Sequence, residues 1–272
     1  MKVHPTAVVE AGATLGAGVE VGPFSLIGAE VVIGDDSIIQ SHVVIEGEVT
    51  IGLKNTIGHG SIIGGLPQDL AFKAGTRSRV EIGDGNTIRE HCTIHRGTTE
   101  GSATHLGAGN FLMAGAHLGH NCHIGDGVVV ANNCLLGGYV QVGDRAFLGG
   151  GSVFHQFIRV GRLAITQGNS GFGKDIPPFV IAAQRNEVVG LNIIGLRRAG
   201  FSASERDEVK RAFKLLYRSG LNLKQVLEES AKVEWGTSGR EFFDFVAQAE
   251  KRGIVPYRRG AKAKSGDEIE LA

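Results

Sequence analysis

The sequence predicts a mainly β fold, a left-handed parallel β-helix of hexapeptide repeats, followed by a C-terminal α-helical domain. Three observations support this prediction: an aliphatic residue at every sixth position, a slender residue two positions before it, and helical periodicity in the last third of the chain. Period six fits neither an α-helix nor a two-residue strand repeat. It is typical of a coil with flat sides, each pointing one aliphatic residue inward, with three hexads to a coil.

The repeats come in three runs. The first extends from Val9 to Ile63, the second from Ile82 to Ile94 and the third from Leu112 to Val160. A glycine often follows the inward aliphatic residue, as at Gly16 and Gly34, and we expect it to supply the unusual backbone angles of a corner.

Two insertions separate these runs, residues 65–79 and 96–110, and we expect both to loop outward from the prism. Pro177 and Pro178 cannot continue a central strand ladder, so the segment around them should close the prism. The β-helix domain is therefore predicted to cover residues 1–190.

Residues 191–256 are predicted to form a helical domain of three helices. Ser202 with Glu205 has the spacing of a capping box, Asn222 precedes a second amphipathic segment, and Ser238 with Glu241 should open a third helix. Residues 257–272 hold few apolar groups and are expected to be disordered.

Composition narrows the class of protein. Net charge is zero, but residues 1–190 carry −4 and residues 191–272 carry +4, which favours an acidic partner for the C-terminal part or an ordinary solvated helix face. The three cysteines fall in the slender slots of the repeat, where they act as small buried apolar groups rather than as a disulfide framework. With no signal-like or membrane-spanning apolar run, we expect a cytoplasmic protein.

Histidines cluster in the middle of the chain, where seven of the ten lie between positions 91 and 155. His117, His120 and His123 occupy hexad positions that should point out of the prism. A prism has little interior for a substrate, so we expect a homotrimer with its sites between neighbouring subunits. There an imidazole could act as a general base or as a zinc ligand, and spacing alone leaves both open.

Several segments carry a resemblance to a known family. The chain resembles the UDP-N-acetylglucosamine O-acyltransferases that begin lipid A biosynthesis, from His4 to about residue 250. The segments that carry the resemblance are VEIGDGNTIREHCTIHRGT (80–98), LMAGAHLGHNC (112–122), VANNCLLGG (130–138), VFHQF (153–157), DIPPFVIA (175–182), GLNIIGLRRAGFS (190–202) and LLYRSG (215–220).

The resemblance implies an acyl transfer without cofactor or metal. A 3-hydroxyacyl chain would move from acyl carrier protein to the 3-position of UDP-N-acetylglucosamine. His120 matches the family's general base, which removes the proton of a sugar hydroxyl during attack on the thioester. Gly138 matches the residue whose backbone N–H stabilises the oxyanion.

The same resemblance implies binding residues. Asp69 matches an aspartate that binds the acceptor, Asn192 and Arg198 match nucleotide contacts from an adjoining subunit, and Gly168 matches the acyl-chain ruler, where a glycine favours a long chain. Further positions near the nucleotide, its phosphates or the sugar are matched by His95, His117, His155 and Gln156. Acyl carrier protein is acidic, and its docking patch would comprise Arg197, Arg198, Lys210, Arg211, Lys214 and Arg218. No nucleic acid or integral membrane contact is implied.

Three positions depart from the family pattern. Asn121 stands where members often have aspartate, Tyr139 where some have histidine, and Ile194 where some have an acidic ribose contact. The acceptor atom, a 3-hydroxyl or a 3-amino group, stays open. Two other functions also stay open: a trimeric zinc-dependent hydratase of the gamma carbonic anhydrase type, and a trimeric scaffold or binding protein without catalysis.

Overall fold

The computed structural model describes residues 1–249 and 252–258. The predicted parallel β-helix is confirmed: short strands stack into three sheets, and each coil contributes one strand to each sheet. Sheet 1 contains β1 (Lys2–Val3), β4 (Glu20–Val21), β7 (Ile38–Ile39), β10 (Thr56–Ile57), β13 (Thr87–Ile88), β16 (Phe111–Leu112), β19 (Val129–Val130), β22 (Phe147–Leu148), β25 (Ile165–Thr166), β27 (Val180–Ala183) and β28 (Glu187–Leu191).

The other two sheets alternate with sheet 1 along every coil. Sheet 2 contains β2 (Val8–Val9), β5 (Leu26–Ile27), β8 (Val44–Ile45), β11 (Ile62–Gly65), β14 (Thr93–His95), β17 (His117–Leu118), β20 (Leu135–Leu136), β23 (Val153–Phe154) and β26 (Gly171–Phe172). Sheet 3 contains β3 (Thr14–Leu15), β6 (Val31–Ile33), β9 (Glu48–Ile51), β12 (Arg79–Ile82), β15 (Ala103–Leu106), β18 (His123–Ile124), β21 (Gln141–Val142) and β24 (Arg159–Val160).

The core of the prism is the column of inward hexad residues. Ile27, Ile45 and Ile63 on sheet 2 are fully buried, as are the slender residues beside them such as Val43. A regular coil spans eighteen residues, since Val8 pairs with Leu26 and Leu26 with Val44. Each coil therefore buries three aliphatic side chains against those of its neighbours, which stabilises the stack.

The two insertions lengthen the coil by different amounts. Thr56 pairs with Thr87, an offset of 31 residues, whereas Thr87 pairs with Phe111, an offset of 24. The predicted extent of the second insertion, residues 96–110, is wrong, because β15 lies within it and pairs with β12. Thr104 fills the slender slot and Leu106 the inward slot, both buried, so only residues 96–102 loop outward.

Apart from Gly64 (φ 83°), the glycines after the inward aliphatic residues do not have left-handed backbone angles, so the expectation for Gly16 and Gly34 was wrong. They are required by close stacking, because a Cβ at Gly34 would lie 2.6 Å from the carbonyl carbon of Gly52 in the next coil. The left-handed corner position comes two residues later, and non-glycine residues often occupy it, as at Asn121 (φ 60°) and Tyr139 (φ 61°).

Helices follow the last coil, in which β27 pairs with β25 in parallel and with β28 in antiparallel orientation. The described residues contain four helices rather than three, α1 (Ile193–Arg198), α2 (Ala203–Arg218), α3 (Leu223–Ser230) and α4 (Thr237–Ala247). The capping box of Ser202 and Glu205 is present, and Asn222 caps α3. Ser238 does not open α4: its N-cap is Gly236, whose N–H donates to the Glu208 carboxylate of α2.

Two arginines of the last coils hold the helices on the prism. Arg159 donates to Asp175 at 2.7 Å and stacks over the Phe245 ring of α4, and Arg162 donates to Glu241 at 2.7 Å. Tyr257, which was expected to be disordered, packs against Phe213 and Tyr217. Residues 259–272 of the expected disordered tail lie outside the described residues. No helix in the described part of the chain has the length and apolarity needed to cross a membrane.

Candidate active site

The candidate site lies at the corner that follows sheet 2. His120, Gly138 and Gln156 occupy the same corner position on three successive coils, since the next residues bond coil to coil: Tyr139 N–H donates to His120 O and Phe157 N–H to Gly138 O. This corner opens into a pocket of about 300 Å³ lined by Gln68, His95, His117, Gly119, His120, Gly137, Gly138, Phe154, His155 and Gln156. Five residues predicted from the histidine cluster and the resemblance therefore meet His120 in one pocket.

Gly138 lies directly against the His120 ring. A Cβ at this position would overlap the His120 ring, so only glycine lets the imidazole lie against this corner. The N–H groups of Gly137 and Tyr139 bond to adjacent coils, whereas that of Gly138 makes no hydrogen bond to any described residue. A free backbone donor thus lies beside an imidazole, an arrangement that can stabilise an oxyanion next to a base.

The two other imidazoles on sheet 2 are held in the neutral form. Burial, with smaller effects of His95 and His120, lowers the pKa of His117 to about 4, and its Nδ1 lies 2.8 Å from Thr93 Oγ1. Burial also lowers the pKa of His95, whose ring meets that of His117 edge-on at 5.1 Å between centroids. At neutral pH these rings can donate or accept hydrogen bonds to a substrate without carrying charge.

His120 itself is nine-tenths buried, and its ring contacts two neighbouring side chains. Its Nδ1 lies 3.1 Å from Asn121 Oδ1, and the Tyr139 ring meets it edge-on at 5.3 Å. Thr98, from the second insertion, donates to the same Asn121 oxygen. The sequence reasoning missed Thr98 because no repeat or motif places this loop residue next to a corner 23 positions away.

Some predicted residues lie away from the pocket of this protomer. Asp69 is exposed in the first insertion, where its carboxylate accepts from Ala71 N–H, and its neighbour Gln68 lines the pocket instead. Gly168 is exposed at the corner between sheets 1 and 2. A Cβ there would approach Gly150 O at 3.0 Å, with its other neighbours at 3.8 Å or more, so a side chain needs only a small adjustment.

Asn192 and Arg198, the nucleotide contacts predicted from an adjoining subunit, lie at the two ends of α1, and the predicted docking patch lies on α1 and α2. Asn192 is buried as the N-cap of α1, with its Oδ1 accepting from Gly195 N–H and its Nδ2 donating to Leu163 O. Arg198 is exposed at the end of α1. All the cations of the predicted docking patch are exposed, although some also have partners in this chain: Lys210 pairs with Asp207, Arg211 lies over Trp235 and Arg218 donates to the Tyr257 hydroxyl.

The zinc alternative would need metal ligands grouped in space. Across residues 1–249 and 252–258, no three His, Cys, Asp or Glu side chains are grouped as a metal ion would require. Of the four histidines that line the pocket, His95 and His117 meet edge-on, His117 also contacts Thr93, and His120 contacts Asn121.

Comparisons with known proteins identify the family of this chain. Residues 175–255 match the family model described as UDP-N-acetylglucosamine O-acyltransferase, domain 2, and residues 103–138 match the bacterial transferase hexapeptide model of six repeats. An acyl-[acyl-carrier-protein]–UDP-N-acetylglucosamine O-acyltransferase from Paraburkholderia phymatum is 45% identical over 266 residues, which cover 93% of this chain and 99% of the relative.

Solved structures show the same likeness. The UDP-N-acetylglucosamine acyltransferase from Campylobacter jejuni aligns with a TM-score of 0.88 at 35% identity, covering 94% of this chain and 100% of that chain. The enzyme of the same name from Bacteroides fragilis aligns with a TM-score of 0.87 at 40% identity, covering 93% of this chain and 99% of that chain. With a shared coil, a shared helical domain and this level of identity, the chain belongs to the family of UDP-N-acetylglucosamine O-acyltransferases.

Proposed function

We propose that this protein transfers a 3-hydroxyacyl chain from acyl carrier protein to the 3-position of UDP-N-acetylglucosamine, the first step of lipid A biosynthesis, with His120 as the general base. Family membership supports the reaction class. One observation supports the assignment of roles: the His120 imidazole and the free Gly138 N–H lie side by side on consecutive coils and line one pocket.

The chemistry follows from these two groups. His120 takes the proton of the sugar hydroxyl as the oxygen attacks the thioester carbonyl, because an unassisted hydroxyl is a poor nucleophile. The carbonyl oxygen becomes an oxyanion, which the Gly138 N–H stabilises by a hydrogen bond. Collapse of the tetrahedral intermediate forms the ester and breaks the C–S bond, and the imidazolium returns its proton to the departing sulfur.

A homotrimer is supported by the outer faces of the prism. The outward column of sheet 1 is apolar at Phe111, Val129, Phe147 and Ile165, and that of sheet 2 is apolar at Leu26, Val44, Ile62, Leu135 and Val153. Sheet 3 is polar instead, with Glu81, His105, His123, Gln141 and Arg159 in register. Two apolar faces at an angle suit a head-to-tail ring, in which sheet 1 of one subunit covers sheet 2 of the next.

In such a ring the neighbour supplies the other wall of the cleft. His117 lies in the outward column of sheet 2, between Thr93 and Leu135. The pocket is therefore on the face that a neighbour would cover. The predicted nucleotide contacts Asn192 and Arg198 and the ruler Gly168 lie outside the pocket of their own protomer. In the proposed ring they would serve the pocket of a neighbouring subunit.

The carrier-protein contact is proposed for the basic face of α2. Lys210, Lys214 and Arg218 are exposed and recur every four residues, so they lie on one side of the helix. An acidic carrier would be attracted to this face, and the attraction should weaken as salt screens it. The proposed setting is the cytoplasm.

The assay that tests the reaction uses 3-hydroxydecanoyl and 3-hydroxymyristoyl carrier proteins with UDP-N-acetylglucosamine and with its 3-amino analogue. We expect the wild type to prefer the longer chain, and Gly168→Met to prefer the shorter one, since the added side chain shortens the groove. His120→Ala should lower kcat by roughly 10²–10⁴-fold, the usual contribution of a positioned base.

The matched control is His123→Ala, which removes an exposed imidazole of sheet 3 from the same histidine cluster but outside the pocket. It should keep wild-type kcat within about twofold. Acyl transfer that survives His120→Ala unchanged would refute the role of His120, and a wild type that acylates neither sugar nucleotide would refute the reaction.

A further inference from the structure

We propose that Tyr139, Thr98 and Asn121 form a hydrogen-bonded relay that holds the His120 ring with Nε2 as its basic nitrogen. Asn121 is the direct positioning residue, and Thr98 and Tyr139 act through it. The inference deepens the proposed function, on whose assignment of His120 as base it rests. It gives a role to Asn121 and Tyr139, the two corner residues that depart from the family pattern, and to Thr98, a loop residue with no predicted role.

The direction of each bond in the relay is determined by chemistry. The Thr98 backbone N–H can only donate, and it lies 3.0 Å from one side-chain atom of Asn121, which must therefore be the carbonyl oxygen Oδ1. Thr98 Oγ1 donates to the same oxygen, also at 3.0 Å. With its hydrogen used there, Oγ1 can accept from the Tyr139 hydroxyl at 3.0 Å.

The orientation of the Asn121 amide determines the tautomer of His120, because His120 Nδ1 lies 3.1 Å from Asn121 Oδ1. Because Oδ1 only accepts, the contact is a hydrogen bond only if Nδ1 carries the hydrogen. The neutral ring then has its lone pair on Nε2, which is the form that can take a proton from a hydroxyl. The opposite tautomer would lose this bond and present an N–H to the substrate.

The relay is anchored on both sides of the corner. Asn121 has the left-handed φ of 60° that asparagine tolerates well, and its N–H donates to Thr104 Oγ1 at 2.8 Å. The Thr104 side chain is fully buried and bonds to His95 O. Tyr139 is fixed by stacking on Phe157 at 4.7 Å between ring centroids. The amide of Asn121 is thus restrained by groups from the second insertion and from two further coils.

The test measures the tautomer directly. In protein labelled with nitrogen-15 histidine, the His120 signals, identified by their loss in His120→Gln, should show a protonated Nδ1 and an unprotonated Nε2 in the wild type. Asn121→Ala, which removes the acceptor, should give a mixture of tautomers and lower kcat by roughly 10–100-fold with KM within about twofold, since only the base is misplaced.

Substitutions of Thr98 provide the matched pair. Thr98→Val removes the hydroxyl but keeps the shape and the backbone N–H, and kcat should fall about tenfold with a partial change of tautomer, whereas Thr98→Ser should restore both. Tyr139→Phe should lower kcat and change the tautomer in the same direction as Thr98→Val, but by less. A wild-type His120 protonated on Nε2, or an Asn121→Ala variant with unchanged tautomer and kcat, would overturn the relay. Because the spectrum needs no substrate, an inactive wild type would refute the proposed reaction and leave the tautomer result standing.

Discussion

Single residues at the candidate site are constrained by backbone contacts rather than by charge. His120 is nine-tenths buried beside Gly138, and the space it fills is the space a Cβ would need. Burial, with a smaller effect of neighbouring imidazoles, lowers the pKa of His95 and of His117. Both rings therefore stay uncharged beside His120 at neutral pH.

Gly138→Ala should reduce activity by roughly 10²-fold or more, because the new Cβ would displace the His120 ring from the base position. The measurement is kcat in the acyltransfer assay, with circular dichroism to show that the coil is intact. Gly173→Ala is the control, since a Cβ there has no atom within 4 Å. Equal kcat in Gly138→Ala and wild type would contradict the tight fit.

His117 predicts acid sensitivity of the fold. Its pKa is about 4 in the folded protein, whereas an unfolded histidine titrates near 6.5, so below that pH the unfolded chain binds a proton that the folded chain does not. Stability should fall as the pH is lowered from about 6.5 towards 4. His117→Asn should lose less Tm between neutral and acidic buffer than the wild type, and His155→Asn, at an exposed site, should follow the wild type. A His117→Asn variant that loses as much Tm as the wild type would contradict the assignment.

The stability of the strands depends on the stacking of the coils, and that of the helices on a buttress, the ion pairs Arg159–Asp175 and Arg162–Glu241. The strands have only two to five residues, so each depends on the coils above and below it for hydrogen bonds and for burial. The helices pack on the last coils through Arg159 and Arg162, whose partners Asp175 and Glu241 lie on the closing segment and on α4. These contacts fix the closing segment and α4 to the last coils.

Asp175→Ala should lower the free energy of unfolding by about 3 kcal/mol, because it leaves the Arg159 guanidinium partly buried without its carboxylate. The Asp175 side chain is 4% exposed and that of Arg159 is 16% exposed, so water can replace little of the lost ion pair. Urea denaturation provides the measurement. Glu229→Ala, which breaks the exposed pair with Lys232, is the control and should leave the midpoint unchanged. Equal effects of the two substitutions would show that the buttress is not stabilising.

For the whole molecule, the apolar groups on the outside of the prism determine how subunits are expected to assemble. Phe147 on sheet 1, Leu135 and Val153 on sheet 2 are each more than a third exposed in the single chain, although they belong to regular strands. A lone prism would leave these columns in water, whereas a ring of subunits would bury them together with the pocket. Catalysis and assembly are therefore expected to fail together.

Phe147→Lys should dissociate the assembly, because a lysine in the centre of the sheet 1 column would bury an unpaired charge between subunits. Sedimentation velocity should show a trimer for the wild type and a monomer for the variant, with acyltransfer lost in parallel. Thr50→Lys adds the same charge to the outward column of sheet 3 and should remain trimeric. A monomeric wild type with full activity would contradict both the trimer and the shared site.

Most of the fold could be predicted because the repeat is a local property of the chain. Ile27 and Ile45 are inward whatever happens elsewhere, since a coil of eighteen residues returns each hexad position to the same face. The insertions were harder to delimit. The second adds six residues to the coil, a whole hexad, so Leu106 remains in phase with Leu112 although the sequence between Ile94 and Leu106 breaks the pattern.

The amino-acid sequence alone predicted the coil, the outward direction of His117 and His120, the capped starts of α2 and α3 and, through its resemblance, the acyl transfer. Three contacts could be seen only in the folded chain: Thr98 donates to Asn121, Glu208 accepts from the Gly236 N–H at the start of α4, and Gln68 rather than Asp69 lines the pocket. The two groups of features differ in the range of the interactions that produce them. Inward and outward positions follow from a period of six residues, whereas these contacts join segments brought together by loops whose path no repeat specifies.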